Sequence, residues 1–350
     1  MDDGRFLSLR AKAMRMIEYF LQLSVEDQGE ILATIAGPRS AEIIEKDIWV
    51  CWALEALFSM PNAKPMAFKG GTSLSKVYGV IHRFSEDVDV TIDYRSLDPS
   101  CDPLAPELSK TKRKKISEEL KNKVNKYVVG EVVPHLKELM AATFRNRKVQ
   151  VDHDDTGEKV FINYGSVASA GSGYLSDRVL LEFGGRNITE PNELKTITPY
   201  AAEFLDRISF PIAKVNVLSP RRTFWEKITL IHAECRRGTV RAGVDRLSRH
   251  WYDVAMLVDG EIGASALADR ELLKSVVKHK SVFFSSRCAN YEAVVSGAAV
   301  LIPSDEMMVE LERDYKAMIR AGMFEREPPR FEEIMARLEE LQIKLNSTTD

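Results

Sequence analysis

The chain has 350 residues, 45% of them hydrophobic and 29% charged, a balance that excludes wholesale disorder and suits one large or two ordinary domains. No run approaches the roughly 18 apolar residues of a membrane span, and the N-terminus does not read as a signal peptide. The formal net charge is −3, from 49 basic and 52 acidic residues, which argues against a uniformly basic nucleic-acid coat but leaves room for a local basic surface.

The first elements read as helices, at residues 14–23 and 41–58, the second with Ile44, Ile48, Cys51 and Leu54 at helical spacing. Met66–Phe68 is a short strand that runs into Gly70-Gly71-Thr72-Ser73 and then an apolar helical stretch, residues 74–81. Val88–Asp93 alternates with a period of two, as a strand does. Residues 94–109, rich in Pro, Asp and Ser, read as a loop. A long amphipathic helix is predicted from Thr111 to Thr143, with an apolar side chain every fourth residue from Ile116 to Leu136. Strands follow at 148–152, 159–164, 178–183, 195–200 and 214–218. Ser219-Pro220 is a helix start, and the rest is predicted helical at 220–235, 244–258, 268–282, 305–322 and 328–345. This order predicts an α+β fold, with a catalytic core over residues 1–218 and a C-terminal helical bundle over 219–350. The four cysteines, Cys51, Cys101, Cys235 and Cys288, have neither metal-ligand spacing nor a disulfide pattern, so a reduced, cytoplasmic compartment is expected.

The chemistry concentrates between Phe68 and Asp93. Gly70 and Gly71 let the backbone approach a bulky anion, and Thr72 or Ser73 adds a hydroxyl at the start of a helix. Asp87 and Asp89 share one strand face, where two carboxylates need a counter-charge, and oxygen ligands of this kind suit Mg²⁺. The alternative is a plain turn and a solvated strand face, but the two features together favour a site. Glu182, set among apolar neighbours in a predicted strand, is a third metal-binding carboxylate or a rim residue. Arg222 and Lys227, at the head of the helix after Ser219, are candidates for the cations a triphosphate requires, with Glu226 placed to pair with Arg222. Asp253 lies four residues after Arg249, the spacing of a helix ion pair. Residues 110–126 carry eight basic and two acidic side chains, and residues 213–251 carry nine and three, so both are candidate RNA surfaces or simply solvated faces.

Taken in order, residues 43–58, FKGGTSLSKVYGVIHRFSEDVDVTID at 68–93, LLEFGGR at 180–186, RRTFWEKITLIHAE at 221–234 and SRHWYDVAML at 248–257 resemble the AbiEii/AbiGii family of nucleotidyltransferase toxins. The segment at 314–338 is similar to that family's C-terminal helices. The resemblance implies a polymerase-β-like nucleotidyltransferase core with a mixed sheet. It implies that the Gly70–Ser73 turn grips a nucleoside triphosphate (NTP), that Asp87 and Asp89 bind Mg²⁺, and that Lys227 and Asp253 are the family's later lysine and aspartate. It also implies a toxin of a type IV toxin–antitoxin or phage-defence system, a separate antitoxin partner, and an RNA acceptor such as the tRNA 3′ end. Two departures stand out: the superfamily's usual Gly-Ser turn is Gly71-Thr72 here, and its third carboxylate is usually Asp rather than Glu182. A protein or small-molecule hydroxyl as acceptor, and a silent nucleotide-binding module, are the alternatives.

Overall fold

The computed structural model describes residues 18–35, 37, 39–100, 102–144, 149–168, 176–240, 246–286 and 288–347. Strand β1 (Glu18–Tyr19) and a 3₁₀ turn (Phe20–Gln22) replace the described part of the first expected helix, whose residues 14–17 lie outside the described residues. The reason is tertiary. Phe20 and Leu21 are buried side by side rather than at helical spacing, and Phe20 stacks on Phe210 at 5.4 Å.

Helices α1 (Val25–Ile35) and α2 (Ala41–Phe58) follow, α2 capped by Ser40, whose side chain accepts from the Ile43 N–H. Then come β2 (Met66–Lys69), α3 (Gly70–Lys76) and β3 (Asp87–Asp93). The expected loop after Asp93 begins instead with a short helix, α4 (Tyr94–Leu97), because the Asp93 carboxylate caps it by accepting from the Arg95 N–H. The long helix is α5 (Lys110–Tyr127) and α6 (Val133–Thr143) joined by a π-helical turn at Val128–Val132. In an ideal α-helix a strict four-residue repeat drifts by about 40° per step. The wider π turn takes up that drift and keeps Leu120, Val124, Val128, Val132 and Leu136 all buried. It also accommodates Pro134, which has no N–H to donate.

Strands β4 (Gln150–His153), β5 (Lys159–Asn163), β6 (Arg178–Asn187), β7 (Asn192–Ile197), β8 (Ile208–Ser209) and β9 (Ala213–Leu218) complete the sheet region. Lys148 of the first predicted strand lies outside the described residues. The strand expected at 195–200 is shifted towards the N-terminus, to end before Pro199. Seven strands form one mixed sheet in the order β4-β5-β6-β3-β2-β9-β7, and β1 pairs with β8 separately. β3 lies antiparallel to β2 and parallel to β6, so both neighbours of the carboxylate strand are fixed: Lys69 opposes Asp89 on one side and Glu182 opposes it on the other.

The remaining chain is helical: α7 (Pro220–Arg237), α8 (Arg249–Val258), α9 (Glu261–Ala268), α10 (Arg270–Phe283), the short α11 (Glu292–Val295), α12 (Asp305–Arg320) and α13 (Phe331–Ser347). Residues 244 and 245, the start of one predicted helix, lie outside the described residues. Buried apolar side chains form two clusters. One gathers the sheet, α2, α5 and α6, and the other gathers α7 to α13 together with Ile43, Leu74, Ile81 and Phe84. No described helix is long and apolar enough to cross a membrane.

Candidate active site

A cavity of about 270 Å³ opens where the two clusters meet. It is lined by Gly70, Gly71, Asp87, Asp89, Glu182 and Lys227, all singled out in the sequence, and by Lys69, Arg83, Ser85, Thr223, Glu226, Arg249, His250 and Lys280, among others. The site is therefore brought together from β2, β3, β6, the segment before β3, and helices α7, α8 and α10.

The two glycines make room for side chains of the site itself. Gly70 has φ +83°, and a Cβ there would stand 2.0 Å from Oδ2 of Asp89. A Cβ on Gly71 would stand 2.6 Å from Nη2 of Arg83 and 2.8 Å from Oγ of Ser85. The two hydroxyls of the turn point inward, against the sequence expectation. Thr72 Oγ1 donates to the Asp87 carbonyl at 2.5 Å and Ser73 Oγ to the Gly70 carbonyl at 2.9 Å, both fully buried. They brace the turn against β3, and the hydroxyl residues that line the cavity are Ser85 and Thr223.

Asp87 and Asp89 project to the same side of β3. Asp87 Oδ2 accepts from Arg249 Nη1 at 3.0 Å. Asp89 accepts no hydrogen bond from a described side chain or backbone group, and burial, with Glu182 and Asp87 close by, pushes its carboxyl up to about 6. An oxygen-only pair with one member short of partners fits a hard divalent cation such as Mg²⁺. Glu182 faces the same cavity, but its Oε1 is held by Lys159 Nζ at 3.2 Å. Among the described residues no group of three or more His, Cys, Asp or Glu side chains is arranged around a metal position. The structure thus brings Asp87 and Asp89 together and leaves Glu182 turned to its lysine.

Behind the cavity wall Asp253 is completely buried. It does not pair with Arg249, its helix neighbour. Instead Arg83 grips it with two bonds, Nε to Oδ1 at 2.7 Å and Nη2 to Oδ2 at 2.8 Å, and Lys227 Nζ lies 2.9 Å from Oδ2. Although burial opposes ionisation, Arg83 and Lys227 hold the Asp253 carboxyl well below the usual carboxylate range. Lys227 is in turn pulled below the usual lysine value, chiefly by burial, and its Nζ lies 3.3 Å from Nδ1 of His250. Burial, with Lys227 and Arg249 nearby, drives His250 far below its ordinary value, so the ring is neutral.

Arg222 does not reach the cavity. It is buried, donates to Asn187 Oδ1 at 2.8 Å and pairs with Glu226 at 3.3 Å, bracing the carboxylate that also holds Lys69 at 3.2 Å. Lys69 lines the cavity on this side together with Lys280, which burial lowers to about 8. Sequence reading assigned no role to Arg83, Ser85, Lys69 or Lys280. Lys280 did carry a signal, since it follows Leu273, Val276 and Val277 at helical spacing and so places a charge on the apolar stripe of α10. Arg83 carried none, because its partner is 170 residues away.

The supposed arginine surface of residues 213–251 is largely committed within the protein. Arg237 pairs with Glu234, Arg246 with Glu86, Arg249 with Asp87, and Arg236 donates to the Cys288 carbonyl, while Arg241 lies outside the described residues. On α5, by contrast, Lys110, Lys112, Lys114 and Lys115 are exposed.

A glycine turn packed against a strand with two adjacent carboxylates, walled by lysines and arginines, is the arrangement of a nucleotidyltransferase. A family model described as nucleotidyl transferase AbiEii toxin, type IV toxin–antitoxin system, matches residues 52–337, and the chain belongs to this family. It is thus a nucleotidyltransferase toxin of the type IV class. Its fold is similar to that of MenT4, a nucleotidyltransferase toxin from Mycobacterium tuberculosis H37Rv, with a TM-score of 0.50 at 16% sequence identity, covering 94% of this chain and 91% of that one. No curated protein matches the chain.

Proposed function

We propose that the protein transfers a nucleoside monophosphate from an NTP to a 3′ hydroxyl of RNA, the tRNA 3′ end being the acceptor we assign, and releases pyrophosphate. The observation that carries this reading is Asp89, which accepts no hydrogen bond from a described group, beside Asp87 in a cavity also lined by Lys69, Arg83, Lys227, Arg249 and Lys280. The acceptor oxygen forms a bond to the α-phosphorus as the bond to the bridging α–β oxygen breaks. Asp87 and Asp89 would hold Mg²⁺, which when bound neutralises phosphate charge and activates the acceptor oxygen.

The chain's own residues do the rest. The Gly70-Gly71 backbone receives the phosphates where no Cβ intrudes. Lys227 and Arg83 stabilise the charge that builds on the leaving pyrophosphate, and Asp253 holds both in place. Glu182, which lines the cavity from the next strand with its Oε1 against Lys159, would take the acceptor's proton. Support for an RNA acceptor is the exposed lysine face of α5, because α5 packs against α10, the helix that brings Lys280 to the cavity. A type IV system implies a separate antitoxin, and the cytoplasm, which holds NTPs and tRNA, is the compartment we assign.

The test is labelling. Purified protein with Mg²⁺, each labelled NTP in turn and total tRNA should yield labelled RNA, and Asp87→Asn should abolish the signal with the circular dichroism spectrum unchanged. Label appearing in protein or small molecules and not in RNA would overturn the acceptor, and full labelling by Asp87→Asn would overturn the site.

A further inference from the structure

Glu182 of β6 and Lys280 of α10 line the edge of the cavity, and β6 runs on from Glu182 towards Arg186. Glu182 and Gly184 share one face of β6, while Phe183 and Gly185 face the other way, where a Cβ on Gly185 would meet Val124 of α5 at 2.3 Å; the pairing with β3 shifts register by one residue after Gly184, and Arg186 lies against Phe284. Nothing lies within 4 Å of the Cβ position of Gly184, so the strand surface between Glu182 and Arg186 is open. Its far end carries an aromatic side chain that the fold does not bury. Phe284, at the C-terminal end of α10, is 41% exposed. The Arg186 guanidinium lies 4.8 Å from the centre of its ring, and Lys280 Nζ, which also lines the reaction cavity, lies 4.7 Å from it. An open strip of backbone, a lysine at the inner end, and an aromatic ring beside a guanidinium at the outer end are the parts of a single-strand nucleotide subsite. Aromatic rings and guanidinium planes stack bases, and the lysine meets a phosphate.

We propose that Phe284 and Arg186 form a stacking platform for a base of the acceptor strand, with Lys280 contacting the phosphate that leads to the reacting 3′ end. The side of entry follows from in-line displacement. The attacking and leaving oxygens lie on opposite sides of the phosphorus. The glycine turn, Arg83 and Lys227 stand on the β2 and α8 side of Asp89, where the pyrophosphate leaves, so the acceptor approaches over β6. Glu182 and Arg186 are four residues apart, about 13 Å along a strand, which places the stacked base within the last two nucleotides of the acceptor. Stacking recognises any base, so the platform measures the position of a single-stranded end rather than its sequence.

This inference rests on the RNA-transfer reading and is tested apart from it. Wild-type protein is first shown to label an RNA with a single-stranded 3′ end; if it labels none, the transfer reading fails. With that activity in hand, Phe284→Ala and Arg186→Gln are each expected to lower kcat/KM for the acceptor RNA roughly ten-fold. The KM for the NTP should stay unchanged, and Phe284→Tyr should restore the RNA value. An unchanged kcat/KM for RNA in Phe284→Ala would overturn the platform. A loss carried wholly by the NTP would also overturn it, by assigning the ring to the incoming nucleotide's base. A lowered melting temperature with no recovery in Phe284→Tyr would reduce the residue to a packing role.

Discussion

Asp89 lines the cavity, Asp253 lies buried behind its wall, and the two are built in opposite ways. Asp89 stands on the sheet, partly buried, opposite Lys69 and Glu182 in the ladder, and accepts no hydrogen bond from a described group. Asp253 stands on a helix, completely buried, and is held by Arg83 and Lys227 at 2.7–2.9 Å. Asp89, the proposed metal ligand, is left short of hydrogen-bond partners among the described groups, at a cost to the fold. A carboxylate meant to aim other groups is saturated, and its partners become rigid.

The sharpest way to break this contrast is to neutralise each in turn. Asp89→Asn should cost at least about 10²–10³-fold in transfer activity. It should leave the melting temperature equal or higher, since a carboxyl whose charged form is disfavoured by burial has been replaced by a neutral group. Asp253→Asn should damage both properties: it strands two buried cations, for which unfolding by urea should register a loss of about 3–5 kcal/mol, with activity falling as Lys227 and Arg83 lose their aim. Equal stability losses in the two variants would remove the distinction.

Gly70→Ala probes the boundary between the regions. The new Cβ would occupy the place of the Asp89 carboxylate, in a left-handed backbone that costs a side chain about 1–2 kcal/mol. Activity should fall more than stability does, and calorimetric Mg²⁺ affinity should fall with it.

The two carboxylates also carry opposite linkage to pH. Asp89 in the fold titrates at about 6, above its ordinary 3.8, so between those values the native protein keeps a proton that the unfolded chain has released. Stability from this group therefore falls as pH rises from about 4 to about 6, and metal affinity rises over the same window as the competing proton leaves. Asp253, lowered in the fold, contributes stability at every pH above the ordinary carboxylate range and loses it only in stronger acid. Urea midpoints of wild type and Asp89→Asn, compared between pH 4.5 and 7.5, should differ in slope in that direction.

The smallest effect is expected farthest from the cavity. Lys112→Gln and Lys114→Gln on the exposed face of α5 should each reduce the salt slope of RNA binding by about 1 without altering kcat. No change in slope would return α5 to a solvated face.

Much of this site was legible from local pattern. The strand, glycine turn and alternating carboxylates of residues 66–93 are relations between near neighbours, and the ladder reproduces them: Asp87 and Asp89 share a face because strands alternate. The Arg222–Glu226 pair is likewise a four-residue helix relation and is present at 3.3 Å. The same rule misled where a distant partner was stronger. Arg249 and Asp253 have ideal helix spacing, yet Arg249 turns to Asp87 and Asp253 to Arg83, because each buried charge takes the partner that tertiary closure brings to it. Thr72 and Ser73 were legible as turn hydroxyls, but only the packing of α3 on β3 decided that they face inward. By itself, then, the sequence determined most of the elements and the carboxylate pair, since these rest on backbone periodicity and short-range spacing, while its motifs carried the resemblance to the family to which the chain belongs. The tertiary structure alone decided which cations line the cavity, which carboxylate accepts no hydrogen bond from a described group, and that Arg186 and Lys280 both lie against Phe284, since these depend on contacts between groups that no local rule connects.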